Sequence, residues 1–373
     1  MTDQTLATVS QLIDALGRQE ASDLHLTSNR GAFYVKDKQT RPIPSNQFSS
    51  DDRTLRGLMG GLLDDAETLM KTKGQASASF DTGGEYRGRV AFRREEGGLS
   101  CTIRIISRDI PSISTLELPQ TVTSLITRPS GLVLYVGQTG SGKSTTIAAQ
   151  VNEVAQTQST GIYTLESPIE YLYPLGKSLV IQREVGTHVN TFAEGIEDAK
   201  RSHPRIIVVG EILNVATARS ALLAAASGHL VISTMHAGTA AEAVDSFTSM
   251  FTPEEQGLVR TQLAQSLLAI VAQKLIPKVR GGLALAMEIA LNTPSMAELL
   301  RGSGDRTNDT KFIQQLLLGA GTKDGMVAME QSLARLVKSG SVSLEVARYN
   351  ARDHKALEEK LTQFDVQAAS RAA

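Results

Sequence analysis

At 373 residues the chain is long enough for two domains of roughly 100–200 residues each, and 41% hydrophobic with 21% charged residues describes a globular protein, not a disordered, fibrous or membrane one. Lys and Arg number 38 against 39 Asp and Glu, so no overall field draws the chain to nucleic acid or anionic lipid, and no direct nucleic-acid partner is expected. The single cysteine, Cys101, excludes an intrachain disulfide framework or a cysteine zinc site and fits a reducing compartment. The first 15 residues lack the basic start and apolar run of a signal peptide, and no stretch approaches the ~20 apolar residues of a membrane span.

Along the chain, Leu6, Val9, Leu12, Ile13 and Leu16 recur at helical spacing, with Gly17 as terminator. Residues 23–27 alternate polar and apolar, 33–36 are extended in character, and Ser49 with Asp52 can cap a helix reaching about Met70. Extended runs follow at 77–81, 86–94 and 99–107, with glycine pairs between them as turn signals. Residues 1–107 therefore read as a small α+β domain of antiparallel hairpins, and 108–119, carrying Pro111 and Pro119, as a linker.

Residues 120–357 read differently. Apolar strands at 132–136, 162–166, 206–209 and 230–234 alternate with helices from 143, near 192–202 and over 215–226. That alternation predicts an α/β domain with a parallel sheet covered on both faces. Beyond Thr239 the chain reads as mostly helical apart from an extended run at 283–291, and residues 358–373 read as a frayed tail.

Gly137, Gln138, Thr139, Gly140, Ser141, Gly142, Lys143 and Ser144 match G-x-x-x-x-G-K-[ST] between a strand and a helix, and Thr145 continues the segment. Glycines let the backbone close around phosphate oxygens, the helix amino end supplies positive potential, Lys143 reaches the β- and γ-phosphates, and Ser144 ligates magnesium. Such a loop needs a carboxylate at the end of a neighbouring apolar strand, and Glu211 follows the run 206–210 in that position; its alternative role is a helix-start glutamate favouring the dipole. Glu166 and Glu170 lie just past another strand end, where open α/β sheets bind ligands; one could orient the attacking water, or both could be solvent-exposed loop acids. His229 and His236 bracket the strand at 230–234, roughly 23 Å apart at 3.3 Å per residue, too far to share a metal. His236 is at the carboxyl end, near bound phosphate, while His229 suits a structural or subunit-facing place.

The order of these motifs resembles the PilT family of secretion and type IV pilus ATPases. Asp23-Leu-His-Leu-Thr27 is similar to the family's early strand, 137–146 to its phosphate loop, 164–171 to its Asp box, 208–211 to its Walker B box and 228–236 to its His box. The resemblance implies a PAS-like amino-terminal domain followed by a RecA-like P-loop domain with a helical carboxy-terminal extension. It implies ATP and Mg²⁺ as ligands, Lys143 as phosphate contact, Ser144 and Glu211 as the magnesium environment, and Glu170 as general base. His236 and His229 take the His-box positions, and Arg89 and Arg104 lie in segments resembling those that supply arginines to the γ-phosphate, in part from a neighbouring subunit.

The same resemblance implies a cytoplasmic homo-hexamer working at the base of an inner-membrane machine, bound to the membrane only through a platform protein and in some systems paired with a paralogous motor. Pilus retraction is the leading expectation, because pilus-assembly ATPases generally carry additional amino-terminal domains. Two alternatives stand beside it: an ATPase of a conjugative or effector type IVB secretion system, and a weakly active nucleotide-binding accessory of another motor. The departures that motivate them are Ser167 in place of an acid, Ile212-Leu213-Asn214 in place of Met-Arg-Asp, and 295–301, which match the retraction helix only in part.

Overall fold

Alternation of buried and outward residues between 23 and 107 builds one antiparallel sheet from β1 (Asp23–Thr27), β2 (Gly31–Lys36), β3 (Gln39–Ile43), β4 (Gln75–Asp81), β5 (Tyr86–Glu95) and β6 (Gly98–Ser107). Its order is β3-β2-β1-β6-β5-β4. This computed structural model describes all residues except 1, 29, 37–38, 45–47, 49, 64–65, 303–305 and 373. It divides into two units: Met1–Ile110 with Glu170–Leu172, and Pro111–Ile169 with Tyr173–Ala373.

In the first unit, Leu24, Leu26, Val90, Phe92, Cys101 and Ile103 turn to a core completed by Val9 and Ile13 of the helix Thr2–Gly17 and by Leu55 and Leu58 of the helix Asp52–Leu62. The helix expected to reach Met70 is in two pieces, the second being Ala66–Lys73. Asp51 is the cap of the first, its carboxylate accepting the Thr54 N–H at 2.7 Å; Ser49 lies outside the described residues. β3 is not legible in the sequence because it contains Pro42, which lacks a ladder donor and is tolerated here on an edge strand.

The second unit is a seven-stranded sheet of β7 (Gly131–Val136), β8 (Gly161–Glu166), β9 (Leu179–Glu184), β10 (Ile206–Val209), β11 (Leu230–Met235), β12 (Leu267–Pro277) and β13 (Leu283–Leu291), ordered β13-β12-β7-β11-β10-β8-β9. All neighbours are parallel except β12 with β13. Every residue of β7 is buried: Leu132, Leu134 and Val136 pack into one core and Val133 and Tyr135 into the other, as expected for a strand covered on both faces. β12 runs straight on from the helix Pro253–Ser266 with no glycine or proline between them, so the sequence reads helix where the chain extends.

The carboxy-terminal helices Met329–Lys338, Leu344–Asn350 and His354–Ala372 enclose a separate cluster with Ile276, Ala284 and Ala286. The helix His354–Ala372 runs through the segment that the sequence reads as a frayed tail, and Leu361 near its start is buried in that cluster. Among the described residues, no helix is long and apolar enough to cross a membrane.

Candidate functional site

β7 ends in the interior of the seven-stranded sheet, and residues 137–142 turn the chain into the helix Lys143–Thr157. Gly137 has φ of +149°, and a Cβ there would come within 2.5 Å of Ser141 Oγ and 2.6 Å of the Gln273 carbonyl oxygen. Gly142 takes the helix-cap position at φ +88°, a left-handed conformation that L side chains resist. No side chain caps this helix, whose amino end carries the positive pole of the dipole.

Lys143 is only 8% exposed, and its ammonium donates to the carbonyls of Gly137 at 2.7 Å and Gln138 at 3.0 Å. Two loop carbonyls thus hold a positive charge inside the turn that the sequence assigns to phosphate. Ser144 is exposed in the first helical turn. Thr146 is buried behind it, and its Oγ1 accepts the side-chain amide of Gln273 on β12 at 2.9 Å, tying the helix start to a strand adjacent to β7.

Parallel register supplies the rest of this edge. Val136 lies opposite Met235 of β11, and Val209 of β10 lies opposite Ser233, so three strands release their chains at the same end of the sheet. Glu211 and His236 emerge there, with His236 Nε2 3.5 Å from Glu211 Oε2. The main chain beside Glu211 is held on both sides. Gly210 N–H donates to Leu165 O at 2.7 Å, Ile212 N–H to Thr234 O at 3.0 Å, and Thr234 Oγ1 to Gly210 O at 2.7 Å. A serine hydroxyl and a carboxylate are the oxygen donors a magnesium ion uses beside nucleotide phosphates, so Ser144 and Glu211 fit that role chemically. The divergent segment 212–214 serves the fold, since Ile212 is buried and Asn214 caps the helix Val215–Ala226 by accepting the Thr217 N–H at 2.9 Å.

His229 is placed elsewhere. Its carbonyl accepts the Gly131 N–H at 3.0 Å at the start of β7, and its Nδ1 is 2.7 Å from Pro204 O. It therefore stands at the opposite sheet edge, about 20 Å along the strand from the phosphate loop, and the structure does not bring it to the loop of its own chain.

Glu166 closes β8 with its Oε1 accepting Thr164 Oγ1 at 2.7 Å and Gln182 Nε2 at 3.2 Å. Glu170 is half-buried and belongs to the short segment counted with the first unit. Arg89 and Arg104, also of the first unit, are directly opposite one another on β5 and β6, on the face turned away from Val90 and Ile103. Like charges so paired repel, and Asp23 on β1, 3.4 Å from Arg104 Nε, offsets part of that repulsion.

Gln273, Glu242 and Arg352 give no sign of themselves in the sequence. Gln273 sits in an apolar run 127 residues from Thr146, and Arg352 is 110 residues from the Glu242 it pairs with. No local pattern carries such pairings.

Residues 62–369 match the family model of the type II/IV secretion system proteins. The chain is 33% identical over 350 residues to the type IV pilus retraction ATPase PilT of Pseudomonas aeruginosa, covering 92% of this chain and 98% of that one. Among solved structures it is similar to one described as "Crystal Structure of the Pilus Retraction Motor PilT and Bound ADP", with a TM-score of 0.84, 32% identity, and coverage of 94% and 99% of the two chains. It is also similar to the ATPase DotB of Legionella pneumophila, with a TM-score of 0.75, 26% identity and coverage of 89% and 92%.

Proposed function

We propose that this chain, which belongs to the family of type II/IV secretion system proteins, is an ATP-hydrolysing motor that powers retraction of a type IV pilus. The observation that carries the reading is the sheet edge of the second unit, where Lys143 is drawn onto the loop carbonyls and the Glu211–His236 pair emerges from a nearby strand end. Similarity to a pilus retraction motor over nearly the full length of both chains supports the machine. The lower TM-score to DotB gives no reason to prefer effector secretion.

In this reading the loop amides and Lys143 bind the phosphates and stabilise the charge that develops on the γ-phosphoryl group. A magnesium ion accompanying the nucleotide would be held by Ser144 and Glu211 and would neutralise phosphate charge. Glu170 takes a proton from the attacking water as the water oxygen bonds to the γ-phosphorus and the bond to the β,γ-bridging oxygen breaks. Arg89 and Arg104 neutralise the same charge within a homo-hexamer, so that hydrolysis depends on closure of the ring. The ring works in the cytoplasm against an inner-membrane platform protein.

Purified protein should hydrolyse ATP, and Lys143→Ala and Glu170→Gln should each lower kcat at least ~100-fold. Full turnover by either variant would sink the site assignment, whereas wild-type protein that binds ATP without turnover would mark a nucleotide-binding accessory. Deleting the gene should leave cells with more surface pili and no twitching; cells without pili would indicate assembly instead.

A further inference from the structure

The turn that follows His236 is gripped from two directions. Gly238 N–H donates to Glu242 Oε2 at 2.8 Å, and Ala240 N–H donates to Glu288 Oε1 on β13 at 2.8 Å. Glu242 Oε1 in turn accepts Arg352 Nη1 at 2.8 Å. Arg352 is fixed through its own backbone, because its N–H and that of Asp353 both donate to Glu330 Oε1, at 3.1 and 3.2 Å, and Glu330 is only 4% exposed. The guanidinium lies against Gly238 so closely that a Cβ at 238 would come within 2.5 Å of Arg352 Nη2. These groups line a small cavity of about 60 Å³ shared by Thr239, Glu242, Glu288, Glu330 and Arg352.

A single guanidinium from the connection between the helices Leu344–Asn350 and His354–Ala372 thereby holds, through one carboxylate, the main chain two residues beyond His236. We infer that Arg352 is a positioning residue for the nucleotide site: by holding Glu242 on Gly238 N–H it keeps His236 beside Glu211, and it links the carboxy-terminal helical extension to hydrolysis. This inference rests on the ATPase reading of the Glu211–His236 edge. The Glu242–Arg352 pair is half-exposed and therefore screened by solvent, but its charge-assisted bond is still stronger than a neutral one, and a carboxylate deprived of its cation would be freer to leave the amide.

The test compares wild type, Arg352→Ala, Arg352→Lys and Glu242→Gln in steady-state ATP turnover and in backbone hydrogen exchange of peptides covering 236–242. Arg348→Ala, which breaks a comparably exposed pair with Glu358 four residues earlier in the chain, controls for loss of a charge and an ion pair in this region. Arg352→Ala should lower kcat at least fivefold with KM for ATP within twofold of wild type, and should speed exchange over 236–242 at least tenfold. Arg352→Lys should recover part of both, and Arg348→Ala should change neither. Combined with His236→Ala, Arg352→Ala should cost nothing further. Should Arg352→Ala fail to fold, Glu242→Gln, which keeps the shape and an acceptor oxygen, should show the same pattern more weakly. Wild-type kcat in Arg352→Ala, or losses that multiply with those of His236→Ala, would overturn the inference while leaving the ATPase reading intact. Absence of Lys143-dependent turnover in wild type would remove the ATPase reading, and unchanged exchange over 236–242 in Arg352→Ala would overturn the hold on its own.

Discussion

Gln273 Nε2 donates to Thr146 Oγ1 at 2.9 Å, joining the strand beside β7 to the first turn of the helix that follows the phosphate loop. Both side chains are buried, 2% and 1% exposed, so neither can exchange this bond for water. The loop is thus braced from behind by a residue that contributes nothing to its motif.

Replacing Gln273 by Leu, which conserves bulk, should deprive the buried Thr146 hydroxyl of this donor at a net cost of about 1 kcal/mol, part of the loss being offset because Gln273 Oε1 is itself buried without a partner among the described residues. Chemical denaturation would read that loss, and titration with a fluorescent ADP should show weaker binding. Unchanged affinity would mean that the brace serves the fold alone.

Gly137→Ala introduces a Cβ against Ser141 Oγ and the Gln273 carbonyl at a φ of +149°. The strain, of the order of 1–3 kcal/mol, has to be relieved by shifting the loop. At about 1.4 kcal/mol per tenfold, nucleotide affinity should fall roughly tenfold, with circular dichroism retained. Wild-type affinity would refute the steric argument.

Glu288 gives the stability curve a defined slope. Burial pushes its carboxyl up from 4.5 to about 7; the Ala240 N–H and Arg352 oppose that rise, and Glu330 and Glu242 add to it. Between pH 4.5 and about 7 the native state holds a proton that the unfolded state has released, so stability falls as pH rises through this window and levels off above it. Glu288→Gln, which keeps an acceptor for Ala240 N–H, should remove this fall and be more stable than wild type at about pH 8 by about 3 kcal/mol. Parallel wild-type and variant curves across that window would count against it.

Cys101 should be silent in the native protein. It is 2% exposed on β6, and burial raises its thiol to about 12, with Arg93 and a backbone bond from Leu26 only partly opposing that. A thiol reagent at about pH 8 should react with it only after denaturation. Stoichiometric labelling of folded protein within minutes would be inconsistent with this placement.

Much of the architecture was legible locally. The phosphate loop, the apolar runs of β7, β10 and β11 and the hairpins of the first unit carry their own periodicity and turn residues, so 132–136 and 206–209 need no tertiary information to be read as strands. β12 was hidden because a buried strand without alternation looks like a buried helix, and β3 because Pro42 suits only an edge. The polar composition after residue 358 hides that Leu361 joins the cluster of the carboxy-terminal helices, because its partners, such as Leu333 and Ala284, are remote in the chain.

The sequence by itself determined the chemistry available to this protein: a glycine-rich turn ending in Lys143 and Ser144, a strand-end carboxylate at Glu211, and histidines on either side of β11. Only the tertiary structure decided which of these meet. Parallel register brings Glu211 to His236 and leaves His229 at the far edge, because a strand of six residues separates its two ends by about 20 Å. It also recruited Gln273, Glu242 and Arg352, whose roles depend on neighbours more than 100 residues away in the chain and, for Gln273, on burial, which turns an ordinary amide into a fixed constraint.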